Sequence, residues 1–155
     1  MLNHRERAKE LFQEGYNCAQ AVLCAFTDVT GLDQETSARV ASSFGGGLGR
    51  LREVCGAVSG AAMVLGMAKG YADPKDAQAK KDHYARVREF AARYREANGS
   101  IICRELLAGG DPHAARPGGD PEARTPEFYK KRPCPELVEM AAGFVEEMLE
   151  NEQPH

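Results

Sequence analysis

The sequence predicts an all-α, single-domain bundle of about six to seven helices over residues 1–150. A long Gly/Pro-rich loop at 109–133 precedes the last helix, and 151–155 reads as a disordered tail. Three observations carry this expectation. The only isoleucines are Ile101 and Ile102, so β-branched residues are too sparse to supply a sheet. Apolar residues recur at helical spacing in several stretches, each bounded by a capping residue, a glycine or a proline. A chain of 155 residues is long enough to bury one core without a metal or a disulfide.

The first helix is expected from about Asn3 to Glu14, burying Ala8, Leu11 and Phe12, with Gly15 to end it. Asn17 reads as the N-cap of a second helix, Cys18 to Phe26, whose apolar face is Ala21, Val22 and Ala25. Asp33 caps a third that runs to about Ser43. The glycine run from Phe44 to Arg50 then leads into Cys55. One reading of the run is a flexible hinge; the other is an anion nest of glycine N–H groups beside Arg50. No strand precedes it and no Gly-Lys-Ser/Thr follows, which argues against a nucleotide site. The helix that Cys55 opens ends near Gly70.

Asp73-Pro74 has the form of an N-cap and first helical residue, starting a long helix that stops at Asn98-Gly99. Its buried side is expected to be Tyr84, Val87, Ala91 and Tyr94, with Lys and Arg on the wet side. Ser100 reads as the cap of a short helix containing Cys103, although Ile101-Ile102 is also the most strand-like pair in the chain. The last helix starts at Pro133-Cys134-Pro135 and buries Leu137, Met140, Ala141, Phe144, Val145 and Met148.

Four of the five cysteines, Cys18, Cys55, Cys103 and Cys134, fall in a first helical turn, where unpaired N–H groups favour a thiolate. Cys55 is expected to be the most acidic. No pair has Cys-x-x-Cys spacing, so spacing alone says little. Four helices aiming such sulfurs at one point would suit a soft metal, an iron–sulfur cluster or paired dithiols. Cys24 lies on another face of its helix and reads as a buried hydrophobe. Gly56 and Gly60 with Ala57 and Ala61 make a stripe nearly free of side chains, along which a cofactor, another helix or a second copy could approach. Gly46, Gly47 and Gly56 are accordingly the candidate cofactor-contacting backbone. His4 and His155 near the termini and His83 on the long helix read as surface residues; only the His113 loop could bring an imidazole in.

Gly-Tyr-Asn-Cys-Ala-Gln-Ala-Val from Gly15, Phe-Gly-Gly-Gly-Leu-Gly-Arg from Phe44, Val-Cys-Gly-Ala-Val-Ser-Gly from Val54, and two later single cysteines occur in this order. That combination resembles the C-GCAxxG-C-C family, to which a redox role is ascribed from its cysteines rather than from a demonstrated reaction. The resemblance covers about Leu11 to Met148 and implies that Cys18, Cys55, Cys103 and Cys134 are the family's four cysteines. Here Cys55 precedes Gly56 where the family label writes Gly before Cys. The family in turn resembles part of the split-Soret cytochromes, which carry haem and an iron–sulfur cluster. This chain has no Cys-x-x-Cys-His, so no covalent haem is expected.

The resulting expectation is a redox protein whose four cysteines are both the reacting groups and the metal ligands. Its chemistry would be iron–sulfur electron transfer or dithiol/disulfide exchange, with a zinc-binding structural or sensor protein as the alternative. A net charge of −3 argues against nucleic acid as partner. No apolar run approaches the roughly 20 residues that span a bilayer. The N-terminus turns charged at once, without an apolar signal core, so a cytoplasmic location is expected. A redox partner and a homodimer are left open.

Overall fold

The computed structural model describes residues 3–109 and 112–151. The polypeptide begins with α1 (His4–Gln13), where the Asn3 side chain accepts from the Glu6 N–H and closes the first turn. Gly15, at φ +113°, lets the chain reverse into α2 (Cys18–Cys24). There Asn17 and Gln20 form a reciprocal capping box. The expected second helix is therefore shorter than Cys18 to Phe26, and a separate turn, α3 (Thr27–Thr30), takes over before α4 (Gln34–Ala41), capped by Asp33. A single 3-10 turn at Ser42–Phe44 leads into the glycine run.

α5 (Gly56–Lys69) is the central helix. It packs along α2, and α1 packs along α9 (Cys134–Asn151), which itself lies against α2 and α5. α6 (Ala77–Asn98) covers α5 and α9. The core between them is built from Phe12, Val22, Leu23, Phe26, Val64, Leu65, Phe90, Tyr94, Val138 and Val145. Each such side chain contributes roughly 1.5–3 kcal/mol by leaving water. The Gly56/Gly60 stripe is filled from inside the chain. A Cβ on Gly60 would stand 2.7 Å from the Ala19 carbonyl oxygen, and one on Gly56 would stand 3.1 Å from the Cys18 Cβ. Of the three candidates for this stripe, another helix of the same chain is the one that packs on it, and that helix is α2.

Several expected boundaries move. Asp76, not Asp73, caps the long helix, with Gly99 at φ +89° ending it as expected. Its buried residues are His83, Phe90 and Tyr94, and Tyr84 is 47% exposed. The offset follows Phe90, which packs on Tyr94 and Phe144, while the Tyr84 hydroxyl meets that of Tyr71 outside. Ser100 does not cap α7 (Cys103–Ala108); its hydroxyl accepts from the Ile102 N–H and donates to Glu105 instead. The 109–133 stretch is not all loop, since Thr125 and Pro126 start α8 (Pro126–Lys131). Among the described residues there are nine α-helices rather than six or seven, and no strand. The expected tail begins at Asn151, which is still helical; 152–155 lie outside the described residues.

Two histidines read as surface residues are buried. His4 bonds Glu146 through Nδ1 at 2.7 Å and Asp28 through Nε2 at 3.0 Å, and stacks on Phe26. His83 sits beneath Tyr71. His155 lies outside the described residues. Among those residues no helix is long and apolar enough to cross a membrane.

Candidate cysteine site

Between Phe44 and Cys55 the chain does something unusual. Gly46, Gly47, Leu48, Gly49 and Arg50 all have positive φ, and Arg52 follows at φ +62°. Left-handed backbone costs a non-glycine residue roughly 1–2 kcal/mol, so Leu48, Arg50 and Arg52 are held there by their surroundings. The hold is a set of backbone bonds across the run: Arg52 N–H to the Gly46 carbonyl, 3.1 Å, and Glu53 N–H to that of Gly47, 2.9 Å. The run is thus a bonded left-handed turn rather than a hinge. Gly47 has no room for a side chain, because a Cβ there would lie 2.7 Å from the Cys103 Cβ.

The turn delivers residues 52–55 antiparallel to 101–104. The Cys55 N–H donates to the Ile101 carbonyl at 2.8 Å and the Cys103 N–H to that of Glu53 at 2.6 Å, around a single bridge at Val54 and Ile102. Ile101-Ile102 thus has the strand character its composition suggested, for one bridge only. This pairing puts Cys55 and Cys103 on the same face of the two segments, diagonal to each other. The close approach of α2 at Gly56 adds Cys18, and the start of α9 adds Cys134.

All four cysteines line one cavity of about 560 Å³, together with Gly46, Gly47 and Gly56. Cys18, Cys103 and Cys134 are the first residues of α2, α7 and α9, and Cys55 is the N-cap of α5. Cys24 faces elsewhere, buried, with its sulfur toward the Gln34 carbonyl. Among the described residues no three or more His, Cys, Asp or Glu side chains stand together in a way that could hold one metal ion.

The four thiols differ in acidity, and not as their helix positions suggested. Burial pushes the Cys55 thiol up to about 11, against a partial offset from the Tyr94 hydroxyl 3.4 Å away. Burial also raises Cys103, opposed by Arg52, whose Nη1 lies 3.7 Å from the sulfur. The close Cys18 thiol is the main cause that holds Cys134 below the ordinary thiol value, and Cys134 in turn is the main cause that lifts Cys18 well above it. The Arg132, Arg124 and Arg52 charges lower Cys134 further. Dehydration thus outweighs the helix dipole at Cys55, and the acidic thiol is Cys134.

Sequence reasoning missed these arginines. Arg52 and Arg132 are 2% and 7% exposed. Arg124 bonds the Phe12 and Tyr16 carbonyls at 3.0 Å each and covers the Phe12 ring at 4.4 Å. Arg132 pairs with Glu122, which also lies 3.9 Å from Arg50. Burial and the Arg52 charge push the Arg50 guanidinium down. Arg132, two residues before Cys134, carried the one local hint. The others reach the cavity from the left-handed turn and from the segment before α8, which composition marked only as loop.

No curated protein and no solved structure shows a significant match to this chain. The family model described as "Putative redox-active protein (C_GCAxxG_C_C)" matches residues 16–148, spanning the glycine turn and all four cavity cysteines, and the chain belongs to that family.

Proposed function

We propose that the protein carries out thiol–disulfide exchange, with Cys134 as the attacking thiolate and Cys18 as its partner. The observation that supports this reading is that Cys18 and Cys134 line one cavity with Arg52, Arg124 and Arg132, whose charges favour the thiolate at Cys134. Such a pair loses its first proton readily and its second with difficulty, which divides attack from resolution. In the reducing direction, Cys134 Sγ attacks one sulfur of a disulfide substrate. The substrate S–S bond breaks, a mixed disulfide forms, and the leaving thiolate takes the Cys18 proton. Cys18 Sγ then attacks Cys134 Sγ, closing the Cys18–Cys134 disulfide and releasing the second substrate thiolate. Two electrons have passed to the substrate. The reverse sequence oxidises a dithiol. A reducing cytoplasm would keep the pair in its dithiol form between turnovers.

Titration with oxidised glutathione under anaerobic conditions, followed by peptide mass mapping, tests the assignment. The expected product is one Cys18–Cys134 disulfide. Cys18→Ser should accumulate a glutathione adduct on Cys134, and Cys134→Ser should abolish exchange. Oxidation confined to Cys55 and Cys103 would overturn it.

A second reading, an iron–sulfur cluster held by Cys18, Cys55, Cys103 and Cys134, draws on the placement of all four around one cavity. Iron and acid-labile sulfide in an anaerobically purified brown sample would favour it. Stoichiometric zinc in a colourless, anaerobically purified sample would favour the zinc alternative.

A further inference from the structure

The cavity holds more positive charge than its own residues use. Arg50, Arg52, Arg124 and Arg132 line it, and Glu122 is the one carboxylate among its described lining residues. Glu122 is engaged by Arg132 and Arg50, and Arg124 spends its donors on two carbonyls. Arg52 is different. Its Nε bonds the Arg116 carbonyl and its Nη1 the Cys103 sulfur, but the buried Nη2 has no partner among the described residues. A buried cation with an idle N–H loses hydration without replacement, and such a donor is an anomaly unless something else accepts from it.

We propose that the cavity binds a small oxyanion group, which accepts from Arg52 Nη2 and is flanked by Arg50 and Arg132, and that the substrate of the Cys134–Cys18 pair carries that group. The inference deepens the dithiol reading and rests on it for the second half: the substrate is an anionic disulfide rather than a neutral or cationic one. The geometry suits the task. Arg52 touches Cys103 and its charge reaches Cys134, so a carboxylate or similar group on Arg52 would leave the rest of a small molecule beside the reacting sulfurs. Burial and the contacts of Nε with the Arg116 carbonyl and of Nη1 with the Cys103 sulfur hold the guanidinium in place, so its orientation is set before the ligand arrives.

Inorganic sulfate is the probe, titrated calorimetrically into the reduced full-length chain at constant ionic strength in chloride. Saturable binding is expected, retained in Cys134→Ser. It should weaken about tenfold in Arg52→Lys, where the forked donor is lost though the charge remains. Glu122→Gln, at an exposed carboxylate, should tighten it by freeing Arg132 and Arg50, an outcome that does not depend on a buried variant folding. No saturable binding, or an affinity unmoved by Glu122→Gln, overturns the proposal. The kinetic arm compares iodoacetate with iodoacetamide at Cys134. The anionic reagent should gain relative to the neutral one on folding, and sulfate should remove the gain; an unchanged ratio counts against the site. Sulfate undergoes no exchange with thiols. Failure of the glutathione experiment with sulfate binding intact would therefore reject the redox reading alone, and the converse result would reject the anion site alone.

Discussion

At Cys55 two opposing effects can be weighed directly. The N-terminus of α5 favours a thiolate, as do the Tyr94 hydroxyl and the Ala57 N–H, but the sulfur is almost fully enclosed. Burial wins, and the thiol stays protonated to about pH 11, against 9.0 for a free thiol. The sign follows: an acid whose pKa rises on folding adds stability that is complete below its unfolded value and is lost as pH climbs through its folded one. A shift of that size corresponds to something on the order of 2–3 kcal/mol. Cys18 and Tyr94, also raised, act in the same direction. The melting temperature should therefore fall between pH 9 and 11, and Cys55→Ala should flatten part of that fall in a pH-resolved thermal denaturation. Cys134 has the opposite shift. Its alkylation should begin below that of Cys55 and Cys24, and Cys18→Ala should move its profile upward by removing the neighbouring thiol. Competitive alkylation read by mass spectrometry at several pH values checks both. The sequence marked these cysteines but could not rank them, because the ranking depends on which sulfur is dry and which meets guanidinium groups distant in the chain.

At the level of the helix, two of the α5 glycines have opposite surroundings. Gly60 meets backbone: the Ala19 carbonyl oxygen would be 2.7 Å from a new Cβ, so α2 and α5 would have to part. Gly60→Ala should cost about 1–3 kcal/mol by chemical denaturation. Gly66 has nothing within 4 Å, and Gly66→Ala should instead add about 0.5–1 kcal/mol through helix propensity. Gly47→Ala combines positive φ with a Cβ 2.7 Å from that of Cys103, and should both destabilise the fold and displace Cys103. How much was legible differs along the chain. Asn17, Asp33 and Gly99 announce their helix ends because capping is local chemistry. The four-residue spacing of Gly56 and Gly60 announced a close approach, but not that α2 would make it. The left-handed turn was legible as a glycine run only. That Leu48, Arg50 and Arg52 share its backbone conformation is imposed by bonds to residues several positions back and by the pairing with 101–104.

Across the whole molecule, Arg124 ties the segment before α8 to the end of α1. Arg124 bonds two carbonyls at the end of α1 and lies over the rings of Phe12, Phe128 and Tyr129. Arg124→Ala should cost about 2 kcal/mol or more, lost packing included. It should speed hydrogen exchange in α8 while leaving the interior of α5 protected. It should also raise Cys134, since the same charge helps hold that thiolate. The packing of α1 on α9 and of α2 on α5 was foreseeable only as helices with apolar stripes, because partner choice depends on shape.

The buried guanidinium cluster also ties electrical balance to oxidation state. In the dithiol form the Cys134 thiolate offsets part of the charge on Arg52, Arg124 and Arg132. Closing a disulfide with Cys18 removes that negative charge and leaves the cations uncompensated. An anion at the proposed site would then bind the oxidised chain more tightly than the reduced one. Reciprocity requires the anion to favour oxidation in turn, lowering the midpoint potential of the pair by about 30 mV for each tenfold preference. Glutathione redox titrations with and without sulfate, at fixed ionic strength, should separate along the potential axis. The reducing power of the pair would then respond to the concentration of small anions around it.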